Sequence, residues 1–435
     1  MGRRTIDPSE ASRNPDQAMI QRNHVVFATL AAACTACVAQ SSVTIYGRID
    51  AGVTRVTGLR GGTIKQLSSG IMEGTQLGFK FSEDLGGSWR FLGTMEHRLE
   101  LDNGSISNRP PSGSQLPDRL SQAALLGLPA AFQPVVTAVG ASIGSGVGVN
   151  LSNNFWDRQI YAGLVTPFGV VLAGRQYTPA YEVVAVFDTM QTSSSLAAGQ
   201  VAALPASFDI RLSNTLQYRL QDRPLNPTFV ASAMVAAGEN SSTIGRFAGA
   251  MVYYKVSSFA VSAGYNTREN ERGQKSLTDA VFGASAEFGA HKFNAMVASV
   301  KDDNPSGLSG IAASVTSSVG ASNALVIQNA FINGLKQDGR LTHAGYRFKS
   351  GDTHTVYVAY TQYDDKRAAN ADTRSFGVAY SYSLSKRTDL NLILTRFDNS
   401  GLGQAAPGGG GYLGGVTASA GTDSTSLAFG LRHRF

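Results

Sequence analysis

Apolar and polar residues alternate along this chain with a period of two, and the pattern is clearest where the chain ends. Across Ser424–Phe435, Leu427, Phe429, Leu431, His433 and Phe435 fall on one side, and Ser426, Ala428, Gly430, Arg432 and Arg434 on the other. Successive side chains of a β-strand point to opposite faces, so this stretch is a strand with one greasy and one wet face. The same period yields sixteen segments, separated by Gly, Asn, Asp and Ser clusters. They are Val43–Arg55, Thr75–Glu83, Trp89–Leu101, Phe155–Val165, Val170–Tyr177, Phe208–Arg219, Phe229–Ala237, Phe247–Val256, Phe259–Thr267, Ala280–Phe288, Lys292–Val300, Leu341–Phe348, Thr353–Tyr363, Arg374–Ser383, Thr388–Arg396 and Thr425–Phe435.

The connections alternate in length. Ser257-Ser258, Gly289-Ala290-His291 and Leu384-Ser385-Lys386 are tight turns, whereas 102–154, 178–207, 301–340 and 397–424 are long. Short turns at one end, long loops at the other and an even strand number predict a 16-stranded antiparallel transmembrane β-barrel with an aqueous lumen. Tyr46, Trp89, Trp156, Tyr161, Tyr253, Tyr254, Tyr265, Tyr346, Tyr357, Tyr360, Tyr380 and Tyr382 sit near strand ends, where girdles at the two membrane interfaces would need aromatics. A soluble all-β protein would not need apolar residues at nearly every outward position of every strand, and no fixed-length repeat supports a β-helix or propeller.

Composition refines this picture. Charged residues are 16% of the chain, Gly numbers 48 and Pro 14. Without an 18-residue apolar run a helical membrane protein is excluded, but a membrane barrel is not. Arg22 and His24 precede the apolar run Val25–Ala39, which ends in small residues; residues 1–39 are expected to be an N-terminal extension and signal peptide, leaving a barrel over 40–435. Both cysteines, Cys34 and Cys37, lie in that segment, so the exported chain has no thiol chemistry. The formal charge of +6 comes from cations scattered singly along strands, which does not point to nucleic acid; inward cations would set ion preference instead. His97, His291, His343, His354 and His433 lack a nucleophile or acid at catalytic spacing, and no metal, phosphate-binding or nucleotide motif stands out, so neither an enzyme nor a cofactor is expected.

Several stretches carry a resemblance. Gln40-Ser41-Ser42-Val43-Thr44-Ile45-Tyr46-Gly47, Leu77-Gly78-Phe79-Lys80-Phe81-Ser82-Glu83-Asp84-Leu85-Gly86-Gly87, Arg158-Gln159-Ile160-Tyr161-Ala162-Gly163-Leu164, Gly174-Arg175-Gln176-Tyr177, Ser383-Leu384-Ser385-Lys386-Arg387-Thr388 and the terminal Phe435 resemble the trimeric general porins of Gram-negative outer membranes. The resemblance implies a homotrimer of sixteen-stranded barrels in the outer membrane, each with its third extracellular loop (here Thr178 to about Ser207) folded inward as a constriction. It implies a basic wall of Arg48, Lys80, Arg90, Arg98, Arg158, Arg175 and Arg211 facing the loop acids Glu182 and Asp188. The partners implied are a second and third copy of the chain, outer-membrane lipid, small ions and hydrophilic solutes, and the assembly machinery that reads Phe435. Two departures stand out: Gln76 occupies a position that is usually basic, and the loop 102–154 is unusually apolar.

The expected function is passive diffusion of small hydrophilic solutes and ions through a water-filled channel. An excess of inward arginine would lower the energy of anions at the narrowest point, giving modest anion preference. A substrate-selective channel of the same fold is the alternative, and a barrel-type outer-membrane hydrolase a more distant one.

Overall fold

The computed structural model describes residues 41–435 apart from 114, 191–207, 224–225, 239–243 and 409–413. The expected signal peptide, 1–39, and the second half of the third loop therefore lie outside the described residues. The main sheet contains β1 (Ser42–Leu59), β2 (Gly62–Ser69), β3 (Gln76–Gly86), β4 (Trp89–Arg98), β5 (Gln159–Thr166), β6 (Gly169–Tyr177), β7 (Arg211–Gln221), β8 (Phe229–Ala236) and β9 (Phe247–Val256). It continues through β10 (Phe259–Glu269), β11 (Lys275–Phe288), β12 (His291–Asp302), β13 (Gln337–Ser350), β14 (His354–Asp365), β15 (Thr373–Ser383) and β16 (Thr388–Asn399). After a small β17 (Ala405–Ala406) and β18 (Gly415–Val416), β19 (Ser424–Arg434) pairs with both β16 and β1, and the sheet closes.

The closed sheet has seventeen strands but sixteen staves. β2 pairs with the far half of β1 (Ala51–Leu59) and β3 with its near half (Ser42–Arg48), so β2 and β3 are two pieces of one stave. The expectation of a single second segment starting at Thr75 is corrected accordingly. The interruption at 70–75 is held by Asp50: its Oδ1 accepts the Ile71 N–H (3.0 Å), and its Oδ2 accepts those of Met72 (3.1 Å) and Glu73 (2.7 Å). One buried carboxylate thus satisfies three backbone donors that the broken ladder leaves unpaired.

Alternation holds around the wall. Val53, Val235, Val252, Val261, Phe282, Phe293, Phe376, Leu392, Leu427 and Phe429 are exposed as an outer apolar band, while Thr361, Ser375, Ser381, Asn391, Thr395 and Ser426 on the other face are buried. Near the tight turns the outer face carries aromatic pairs, Phe259 with Phe288, His291 with Phe348 and His354 with Tyr382. Tyr254, Tyr346, Tyr360, Tyr380 and Tyr382 follow the outer parity. Tyr46, Tyr161, Tyr253 and Tyr357 are corrections to the expected girdle: in each the pleat places the ring on the polar face, in register with Gly78, Thr94, Ser262 and Arg347 respectively.

The long loops hold helices that strand periodicity did not reveal. These are α1 (Asp118–Ser121), α2 (Gln133–Ser145), α3 (Pro179–Phe187), α4 (Ile311–Val319) and α5 (Ala321–Leu335). In α5 the buried residues Ala324, Ile327, Gln328, Phe331 and Leu335 recur at three- and four-residue spacing, a helical stripe.

Candidate functional site

Helix α3 starts well: Pro179 occupies its first turn, where a missing N–H costs nothing. Asn266 of β10 fixes that end, accepting the Ala180 N–H (3.1 Å) and donating to Thr178 Oγ1 (3.0 Å). Ala180, Val183, Val184 and Phe187 then pack with Val230, Met251, Ala260, Val281 and Met296, all on the face away from the exposed apolar band. The approach is close because the wall offers glycine: a Cβ at Gly283 would lie 2.2 Å from the Phe187 ring. Beyond the helix, the Thr189 N–H donates to Nε2 of buried His343 (3.2 Å), which ties the segment to β13.

Two basic groups occupy the polar face. The first spans β1 to β7. Arg98 is buried, with Nε 3.2 Å from Asp157 Oδ2 and Nη1 3.1 Å from Glu100 Oε1. Burial pushes the Glu100 carboxyl up, with Arg98 acting against it. Arg175 donates to the Asp157 carbonyl (2.7 Å) and to Ser213 Oγ (3.1 Å). Arg158 and Arg211 share the Tyr177 hydroxyl at 3.4 and 2.8 Å, and Arg158 also lies 3.7 Å from Glu96. Tyr46 donates to Glu96 (2.8 Å) and carries Lys80 over its ring at 4.7 Å.

The second group gathers around the 70–75 interruption. Glu73 contacts Arg48 (2.5 Å), Arg432 (2.8 Å) and Arg434 (3.0 Å), and Asp389 contacts Arg432 (2.9 Å) and Arg434 (3.2 Å). Between this group and the segment after α3 lies a cavity of about 150 Å³. Its lining includes Lys292, Arg347, Arg432 and Arg434 against the acids Glu73 and Asp188.

Of the residues expected from sequence, the structure brings Arg98, Arg158, Arg175 and Arg211 together, and places Arg48 in the second group. Arg90 stays apart, exposed beside the β3–β4 turn. The strand that carries Arg211 has a bulge at Asn214 (φ 59°), so Leu212 is buried and Ser213 exposed, out of step with Thr215 and Gln217. Glu182 pairs with Arg219 of β7 (2.7 Å), a cation absent from the expected wall. Asp188 is 1% exposed, accepts the Met190 N–H (3.0 Å) and borders the second group rather than the first. Sequence reasoning missed Glu73, Lys292, Arg347, Arg432 and Arg434. For Arg432 and Arg434 the signal was present, since both fall on the wet face of the closing strand. Glu73 gave none, because nothing in its neighbours marks an interrupted stave.

A family model described as Gram-negative porin matches residues 27–402. The chain belongs to the Gram-negative porin family. It is 25% identical over 435 residues to outer membrane porin protein 32 of Delftia acidovorans, covering 96% of this chain and all of that one. Its fold is similar to that of an anion-selective porin from Comamonas acidovorans (20% identity, TM-score 0.66, 91% of this chain and 100% of the other). It is also similar to the trimer form of the outer membrane protein OmpT of Vibrio cholerae (13% identity, TM-score 0.54, covering 91% and 99%). This porin is a protein of the bacterial outer membrane. Its family points to a channel rather than an enzyme, and among the described residues no cluster of His, Cys, Asp and Glu could hold a metal ion.

Proposed function

We propose that this porin is a homotrimeric passive-diffusion channel that prefers anions. Its narrowest passage lies where the third loop, folded into the lumen on α3, faces the second basic group. The observation that carries this reading is the cavity lined by four cationic side chains and two acids. Small anions passing there meet an attractive field, while the paired acids keep the attraction weak enough for exit. The Comamonas acidovorans porin is described as anion-selective and OmpT has a trimer form, and both agree with this reading. In this account Arg98, buried in ion pairs, and Arg175 hold the wall together, whereas Arg48, Arg158, Arg211 and Lys80 contribute to the field. Glu182, paired to Arg219, steadies the loop.

The test is the zero-current potential of reconstituted channels across a KCl gradient. It is expected to take the sign of chloride preference. A clear potassium preference would overturn the reading.

A further inference from the structure

The loop between β4 and β5 and the loop between β12 and β13 share one hydrophobic core. Leu116, Leu120, Leu128, Val136 and Val139 from the first pack with Ile311, Val315, Ile327 and Phe331 from the second. Contact is close at Gly334, where a Cβ would fall 2.8 Å from Leu120 and 2.9 Å from Leu126. Its carbonyl accepts Nη1 of Arg119 at 2.8 Å. Counting β2 and β3 as one stave, these loops rise between staves three and four and between staves eleven and twelve of sixteen. Their roots are thus half the circumference apart.

Two roots at opposite points of a ring share a core here, so the joined segments together span the distance between the two sides. The joined helices also rest on the intervening rim. Arg60, at the β1–β2 tip, pairs with Asp118 (2.5 Å) and donates to the Leu116 carbonyl (2.8 Å). Asp118 Oδ2 accepts the Ala420 N–H (3.0 Å) from the loop before β19. Beyond β14, Arg367 donates to the carbonyls of Gly334 and Lys336. These ties all fall on the half of the rim that runs from β13 through β19 to β4.

We propose that the two loops form a helical strap across the mouth, which acts as an outer size filter in series with the basic passage. The inference rests on the channel reading above. The strap differs from the passage in chemistry: residues 120–156 and 304–335 contain no Asp, Glu, Lys, Arg or His. A neutral, apolar-cored bar discriminates by bulk and leaves the sign of the solute unread, whereas the passage below reads charge.

The experiment uses full-length porin reconstituted in liposomes, comparing swelling rates for arabinose, sucrose, raffinose and stachyose. One variant is Ile327→Asp with Phe331→Asp, which places carboxylates in the strap core. A second replaces 311–335 by a short Gly-Ser connection, so that failure of one variant to fold leaves the other. Barrel integrity is read from heat-modifiable electrophoretic mobility. Relative to arabinose, raffinose and stachyose rates should rise several-fold, with the KCl zero-current potential unchanged. Unchanged relative rates in a well-assembled variant would overturn the strap, as would a shifted potential with the same size dependence. A wild-type protein that never conducts would instead overturn the channel reading.

Discussion

Glu73 is the residue on which the second basic group turns. Three guanidinia converge on its carboxylate, and it is presented there only because Asp50 holds the backbone of Ile71, Met72 and Glu73. Replacing it by the isosteric Gln removes one negative charge from the rim of the cavity. A unit charge at ~8 Å in a water-like dielectric is worth about 0.5 kcal/mol to a passing ion. Glu73→Gln is therefore expected to raise the chloride-to-potassium permeability ratio roughly two- to fivefold. A zero-current potential equal to wild type would show that Glu73 lies off the ion path. At this scale sequence was legible only in part. Arg48 alternates with Val43, Ile45 and Ile49, and Lys80 with Leu77, Phe79 and Phe81, so period two puts both cations on the wet face. Near Arg211 alternation loses step because Asn214 adds a residue to the strand, and alternation cannot report a bulge whose residues are all polar.

At the level of elements, the strands were easy to read and the helices were not. Each strand repeats its signal every second residue, so nearly every segment between Val43 and Phe435 emerges from alternation with its ends shifted by a few positions. The fourth starts late, at Gln159 rather than Phe155, because Phe155 stacks on His97 and Trp156 meets both rings edge-on, outside the ladder. α4 and α5 were hidden for a different reason: they are rich in Ala and Ser, and their apolar stripe becomes evident only against the loop that covers it. Helix α3 offers the element-scale prediction. Gly283→Val would drive a side chain into Phe187, an overpacking that costs about 1–3 kcal/mol. The helix should loosen from the wall, giving noisier single-channel currents of larger mean size and a lower unfolding temperature. Currents identical to wild type would mean that α3 does not border the ion path.

For the whole molecule, the last residue extends the closing seam between β19 and β1. Phe435 and Gly47 exchange backbone hydrogen bonds at 3.1 and 3.2 Å, and the Phe435 ring lies over Gly47 with no room for a Cβ. Removing Phe435 is expected to lower the yield of assembled barrels sharply while leaving conductance per assembled channel unchanged. Quantitative blotting of heat-modifiable protein, set beside single-channel recordings, separates the two effects. Altered unit conductance with normal yield would count against a role confined to assembly.

The seam also sets an order of events. β1 meets β2 and β3 within 40 residues along the chain, but its other edge must wait for β19, more than three hundred residues later. Contacts so distant in sequence form late. When they form, Arg48 comes directly opposite Arg434, and like charges in register repel. Glu73 bridges both. The small turn at 70–75, a local structure, thus supplies a charge that lets the two ends of the chain lie in register, so a break in the second stave eases completion of the circle.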